Sequence, residues 1–310
     1  MTRLTIGLAL GGGAARGWAH IGVLRSLIAA GLEPDIVAGT SIGAVAGACY
    51  ATGKLDELED FATGLTRRRI FGFLDFNLAG SGLITGQRLS SRLENHLKGT
   101  TIETLQPRFV AVATELRTGH EIWLRKGDLV TALNASFALP GIFRPVEING
   151  RWLMDGALVN PVPVSVCRAL GARIVIAVNL TRDFSKGGVI HDQEVLHDQE
   201  ALAEPLGASA PAPQEEQGRT AINLLQRQMF GRSNGAPGLS EVMMNAINIT
   251  QDRIARSRLA GDPPDITINP KTGPIGPFDF HRAEEAITLG AKATESQLDE
   301  IRAAVRALAA

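Results

Sequence analysis

Four short apolar runs constrain this chain more than any other feature: "LTIGLAL" at 4–10, "DIVAGT" at 35–40, "RFVAVAT" at 108–114 and "RIVIAVNL" at 173–180. They are apolar at nearly every position rather than at alternate ones, the mark of a strand covered on both faces. Such strands need helices on either side, and helical stretches are expected at 19–30 (closed by Gly31), 42–53, 55–66, 87–97 and 162–170. "HEIWL" at 120–124 is a partner strand for the third run, "DITINP" at 265–270 is a last strand, and one or two helices close the chain over 281–308. Asn149-Gly150, between "RPVEI" and "RWLMD", signals a two-residue hairpin turn. The expected fold is α/β, a three-layer sandwich with a mainly parallel central sheet flanked by helices.

The 310 residues are 45% hydrophobic and 20% charged, enough for a sizeable core, and the formal net charge of -1 leaves no global field to draw in nucleic acid or anionic lipid. The apolar N-terminus is broken by glycines and Arg16 and reads as a first strand with its loop, not a leader. No uninterrupted apolar segment approaches the ~20 residues of a membrane span. Cys49 and Cys167, among small apolar neighbours, read as buried free thiols of a reducing compartment, so a soluble cytoplasmic protein is expected. Residues 185–218 depart from this pattern: they are polar, rich in Pro, Ala and Gly, and carry the tandem hexads "HDQEVL" and "HDQEAL". That composition buries too little surface to offset its ordering entropy, so it reads as a mobile insertion in one domain spanning 1–310. His191 and His197 within it read as members of a solvated repeat rather than metal ligands.

Three motifs carry chemistry. In "GTSIGA", Gly39 and Gly43 flank Ser41 on a strand-to-helix turn, the pattern that points a serine oxygen outward as a nucleophile. In "GGGAARG", Gly11, Gly12 and Gly13 follow the first strand and present backbone amides, fit for an anion or for the oxyanion of acyl transfer. A dinucleotide fingerprint fails there, because the third glycine position holds Arg16, although Glu33 and Asp35 lie near the spacing of a ribose-binding acid. In "DGA", Asp155 precedes a glycine, ordinarily the sign of a turn former. A nucleophile needs a base, and of six histidines only His281 follows a C-terminal strand, where a Ser…Asp…His triad would place one. The other possibility is a serine–aspartate dyad, whose carboxylate must be raised by burial from its reference pKa of about 4.

The stretches "ALGGGAARGWAHIGVL", "VAGTSIGAVAGACYATG" and "NASFALPGIFRPVEINGRWLMDGALVNPVPV" together resemble the patatin-like phospholipases, in particular their bacterial branch related to neuropathy target esterase. The resemblance runs in order from about residue 5 to 180 and resumes in the tail from 265. It implies a lipid acyl hydrolase without a metal or other cofactor. Ser41 is then the nucleophile and Asp155 its base, the amides of Gly11, Gly12 and Gly13 form the oxyanion hole, and Arg16 holds the loop or meets a phosphate head group. The implied partner is a lipid or ester substrate. "RRRIFGFLDFNLAGSGLITG" at 67–86 sets three arginines beside phenylalanines, suited to peripheral membrane contact or to covering an acyl channel. Two other classes remain open: a nucleotide-binding α/β protein using the glycine loop, and a non-catalytic regulatory protein on the same scaffold.

Overall fold

A computed structural model of the chain describes residues 4–66, 87–180 and 239–309. Both 67–86 and the hexad-bearing 185–218, with His191 and His197, lie outside the described residues. The chain divides into two compact units, one of residues 1–181 with 247–310 and one of residues 182–246. Every strand among the described residues belongs to the first unit.

Each apolar run forms a strand: β1 Ile6–Leu10, β2 Ile36–Thr40, β3 Arg108–Glu115 and β7 Ile174–Val178. They pair in parallel in the spatial order β3-β2-β1-β7, and β8 Ile266–Ile268 adds a parallel edge beyond β7. The remaining strands are antiparallel. β4 Glu121–Leu124 pairs with β3, and β5 Val146–Ile148 and β6 Arg151–Asp155 form a hairpin whose β6 also pairs with β3. The hairpin turns at Asn149 (φ 52°) and Gly150 (φ 74°), two positive φ values in succession as a tight primed turn requires.

Side chains sort by strand period into two cores. Leu8, Leu10, Val37, Phe109, Ala111, Ile174 and Ile176 face a core shared with α1 Ala19–Ala29, α2 Ile42–Ala51, α3 Leu55–Thr63, α4 Gln87–Leu97 and α5 Leu129–Ser136. Ala9, Ile36, Ala38, Val110, Val112 and Val175 face the other way, onto α6 Val164–Ala169 and Ala255 of α7 Leu239–Gly261. The chain ends in α8 Ala283–Glu295 and α9 Leu298–Ala309, which lie on the first face. Continuous apolar strands follow from this burial on both faces. Two helices, α5 and α7, were not expected from the sequence.

Register places the strand ends. Val112 pairs with Thr40 of β2 and with Trp123 of β4, while Ala113 pairs with Ile122 of β4 and Asp155 of β6. A strand has only two edges, so β2 and β6 share the edge of β3 opposite β4. They meet end to end there, one arriving parallel and the other antiparallel. At that junction stand the residue after Thr40 and the last residue of β6.

Candidate active site

Ser41 is the residue at the junction on the β2 side. Its backbone sits at φ 56° and ψ -126°, a conformation a non-glycine residue adopts only under constraint. The flanking glycines are explained by space rather than flexibility. A Cβ on Gly39 would lie 2.4 Å from Ala44 Cα, and one on Gly43 would lie 2.2 Å from the carbonyl oxygen of Leu10. Without side chains there, the first turn of α2 lies directly over the ends of β2 and β1, and Ser41 has to turn sharply between them. Ser136, fully buried at the end of α5, fixes the turn: its Oγ accepts the Ser41 N–H at 3.0 Å and donates to the Val112 carbonyl at 2.7 Å.

Asp155 ends β6 facing it, and the Ser41 hydroxyl donates to Asp155 Oδ2 at 2.6 Å. The other carboxylate oxygen accepts the Ala157 N–H at 2.8 Å. The Asp155 backbone is pinned as well, its N–H to the Ala138 carbonyl at 3.0 Å and its carbonyl by the Thr114 hydroxyl at 2.8 Å. Gly156 is required next, since a Cβ there would lie 2.3 Å from the Val112 carbonyl oxygen. Asp155 is 2% exposed, and this burial raises its carboxyl from 3.8 to about 6, against the opposing pull of its bonds from Ser41 and Ala157. Among the described residues, no histidine bonds to Ser41 or Asp155.

The glycine loop passes over the dyad. A Cβ on Gly12 would stand 3.3 Å from Ala157 Cβ and 3.6 Å from Ser41 Cβ, so Gly12 keeps the space above Ser41 open. Not all three glycine amides face that space, contrary to the sequence expectation. Gly11 N–H donates to the Val178 carbonyl at 3.0 Å and Gly12 N–H to the Pro161 carbonyl at 2.9 Å, which leaves Gly13 of the three for an anion. The same two bonds remove amides that a pyrophosphate would need. Arg16 is 4% exposed, with Nη2 3.5 Å from Asn248 Oδ1 of α7.

His281 was the one histidine singled out in the sequence, yet it is His20 that the structure sets against the glycine loop. It is fully buried under the loop, with Nε2 2.7 Å from the Gly11 carbonyl oxygen. A carbonyl can only accept, so the ring carries its proton on Nε2. Burial lowers its pKa from 6.5 to about 4, and it stays neutral at ordinary pH. The sequence carried no signal for it beyond its place in the first turn of α1, directly after the glycine loop and its 3-10 turn. Cys49 and Cys167 are buried and free, and burial pushes both thiols up to about 12. Among the described residues, no cluster of three or more His, Cys, Asp or Glu side chains has the makings of a metal site, and no helix is long and apolar enough to cross a membrane.

The family model described as patatin-like phospholipase matches residues 8–168. An uncharacterized NTE family protein of Mycobacterium tuberculosis is 34% identical over 322 residues, covering 92% of this chain and 89% of its own length. A putative patatin-like phospholipase domain-containing protein of Caenorhabditis elegans is 34% identical over 187 residues, 58% of this chain and 17% of that protein. Among solved structures, VipD from Legionella pneumophila superposes with a TM-score of 0.50 at 14% identity, over 97% of this chain and 67% of that one, a likeness of fold alone.

Proposed function

Because this chain belongs to the patatin-like phospholipase family, we propose that it is a serine hydrolase of lipid carboxylic esters, with Ser41 as nucleophile and Asp155 as its base. The observation that carries this reading is the 2.6 Å hydrogen bond from Ser41 Oγ to a buried carboxylate. Ser41 Oγ attacks the ester carbonyl carbon while its proton passes to Asp155 Oδ2. The carbonyl oxygen becomes an oxyanion facing the Gly13 amide and the first turn of α2, whose leading N–H groups have no acceptor within the helix. Collapse of the tetrahedral intermediate breaks the ester bond, and Asp155 returns the proton to the departing alkoxide. Asp155 then takes a proton from a water, which attacks the acyl-enzyme carbonyl; collapse breaks the bond to Ser41 Oγ, which recovers its proton from Asp155 as the fatty acid leaves. A carboxyl raised to about 6 is a far better base than an ordinary aspartate and is still ionised near neutral pH.

His20 and Ser136 hold the loop and the turn, and Arg16, buried against α7, holds the loop rather than meeting a head group. Contact of the arginine- and phenylalanine-bearing 67–86 with a lipid surface belongs to the same proposal. Hydrolysis of p-nitrophenyl esters of increasing acyl length, with Ser41→Ala and Asp155→Asn beside the wild type, tests it. Loss in both variants, fluorophosphonate labelling that requires Ser41 and indifference to EDTA are expected. Activity that survives Ser41→Ala overturns it.

A further inference from the structure

Behind the nucleophile turn, on the face of the sheet covered by α6 and α7, a polar cluster runs from the buried Thr40 and Asn160 out to the partly exposed Trp123 and Arg258. Thr40 continues the Ile36, Ala38 row of that face, and its hydroxyl donates to the Asn160 carbonyl at 2.9 Å. Asn160 is 1% exposed, and its side-chain amide donates to Glu121 Oε1 at 2.8 Å and reaches Ser165 Oγ at 3.1 Å. The Trp123 indole N–H also donates to Glu121 Oε1, at 2.7 Å. Arg258 of α7 donates to the other oxygen, Oε2, at 2.8 Å. Glu121 lies opposite Thr114 in the β3–β4 ladder, and Thr114 is the residue whose hydroxyl holds the Asp155 carbonyl.

Resting on the Ser41–Asp155 reading, we infer that Glu121 is a positioning residue for the reaction, seating the nucleophile turn from behind through Asn160 and Thr40 and itself held by Arg258. The chemistry is selective for a carboxylate. Three N–H donors converge on one side chain, and only an ionised carboxylate offers acceptors on both oxygens and no competing donor. A glutamine in its place keeps the shape but turns an NH2 group toward either Asn160 or Arg258. In the first case Asn160 loses its anchor outright, and in the second Arg258 no longer holds the side chain on which Asn160 is anchored; either way the backbone carbonyl that orients Thr40 loses support. Thr40 is the residue before a serine held in a strained conformation, so a shift there reaches Oγ directly. The same helix touches the glycine loop through Asn248 and Arg16, so α7 bears on both halves of the site.

The test is the rate of Ser41 phosphonylation by an alkyl fluorophosphonate, expressed per folded molecule, with kcat and KM for a short p-nitrophenyl ester measured beside it. Glu121→Gln is expected to slow labelling and kcat by roughly 10- to 100-fold, the loss a misplacement of about 1 Å brings, with KM unchanged. Arg258→Gln should fall in the same direction and Arg258→Lys should recover most of the rate. The Glu121→Gln, Arg258→Gln double variant should be no worse than the poorer single one, since both break one linkage. A structural role alone would lower the melting temperature and the folded fraction but not the rate per folded molecule. Wild-type labelling and kcat per folded molecule in Glu121→Gln, or a loss confined to KM, overturns the inference and leaves the dyad standing. If the wild type itself is not labelled, the dyad reading fails and the inference fails with it.

Discussion

Asp155→Asn should abolish turnover and yet stabilise the protein. The carboxyl is 2% exposed and raised from 3.8 to about 6, so the folded state holds its proton more tightly than the unfolded chain does. Between those values the native state binds more protons, and stability therefore falls as pH rises through the window. Two units correspond to about 3 kcal/mol lost once the group is ionised in both states. Asparagine stays neutral at every pH and keeps the site satisfied. Its oxygen can take the Ala157 N–H and its NH2 can face Ser41 Oγ. The variant should then gain about 3 kcal/mol at pH 8, roughly half of that at pH 5 and little at pH 4. Thermal melting reads this as a rise of roughly 5–10 °C at pH 8 that halves by pH 5. His20 works in the opposite sense, since its lowered pKa makes the protein less stable as pH falls from 6.5 toward 4, but it is common to both proteins and cancels in the difference. Equal melting temperatures at pH 8, or a gain that does not shrink toward pH 5, would refute the cost assigned to ionising Asp155.

The same carboxyl sets the acid limb of activity. Wild-type kcat/KM for a soluble ester should fall about tenfold at pH 5 and about a hundredfold at pH 4, half-lost near pH 6, and a limb centred near 4 would mean that Asp155 is not the base. Gly12→Ala places a methyl group 3.3 Å from Ala157 and over Ser41, so ester kcat should drop at least about tenfold while melting hardly changes; full activity in this variant would show that substrate enters elsewhere. His20→Ala leaves the buried Gly11 carbonyl without its donor and should cost about 1–3 kcal/mol together with activity, while His20→Gln, which can present an N–H to the same oxygen, should recover much of both. His281→Ala should keep most activity, and a loss comparable to that of Asp155→Asn would restore the histidine triad.

The strands were legible because burial on both faces leaves a continuous apolar run, and the turn at Asn149-Gly150 because both positions adopt positive φ. Ser41 and Asp155 were legible through the glycines beside them, which the packing of α2 on β1 and of Gly156 on Val112 now explains. Helix α7 was not, since its buried positions mix Met244 and Ala255 with Asp252, and it anchors through Asn248 and Arg258, so no continuous stripe of large apolar residues marks it. Helix α5 is short, and its one local signal is the Asp128 side chain capping the Thr131 N–H. The expectation of three oxyanion amides failed because a glycine run states only that side chains are absent. Where each N–H points depends on partners at Val178 and Pro161, remote in sequence. Glu121 and Asn160 gave no signal for the same reason, being linked only once β4 lies beside β3 and α7 is in place.

On the proposed reading, the strand junction is what lets an aspartate serve as the base. A side chain arriving from a loop beyond the sheet needs length to reach a nucleophile, and the imidazole of a triad supplies it. Here β6 runs antiparallel along the edge of β3 that β2 has just left, so its last residue ends against the turn that carries Ser41. One methylene and a carboxylate then span the gap at 2.6 Å. The same junction accounts for the basicity. Asp155 is enclosed by the ladder with Ala113, the Ala138 carbonyl on its N–H and Thr114 on its carbonyl, so among the described residues its carboxylate has only Ser41 and Ala157 in place of water. Two hydrogen bonds do not replace full hydration, and the deficit is what lifts the pKa to about 6. Moving Asp155 one residue along β6 would turn its side chain to the opposite face of the sheet, toward the α6 and α7 layer, and leave Ser41 without a base. Position, reach and basicity are therefore fixed by a single feature of the mixed sheet, the shared edge of β3.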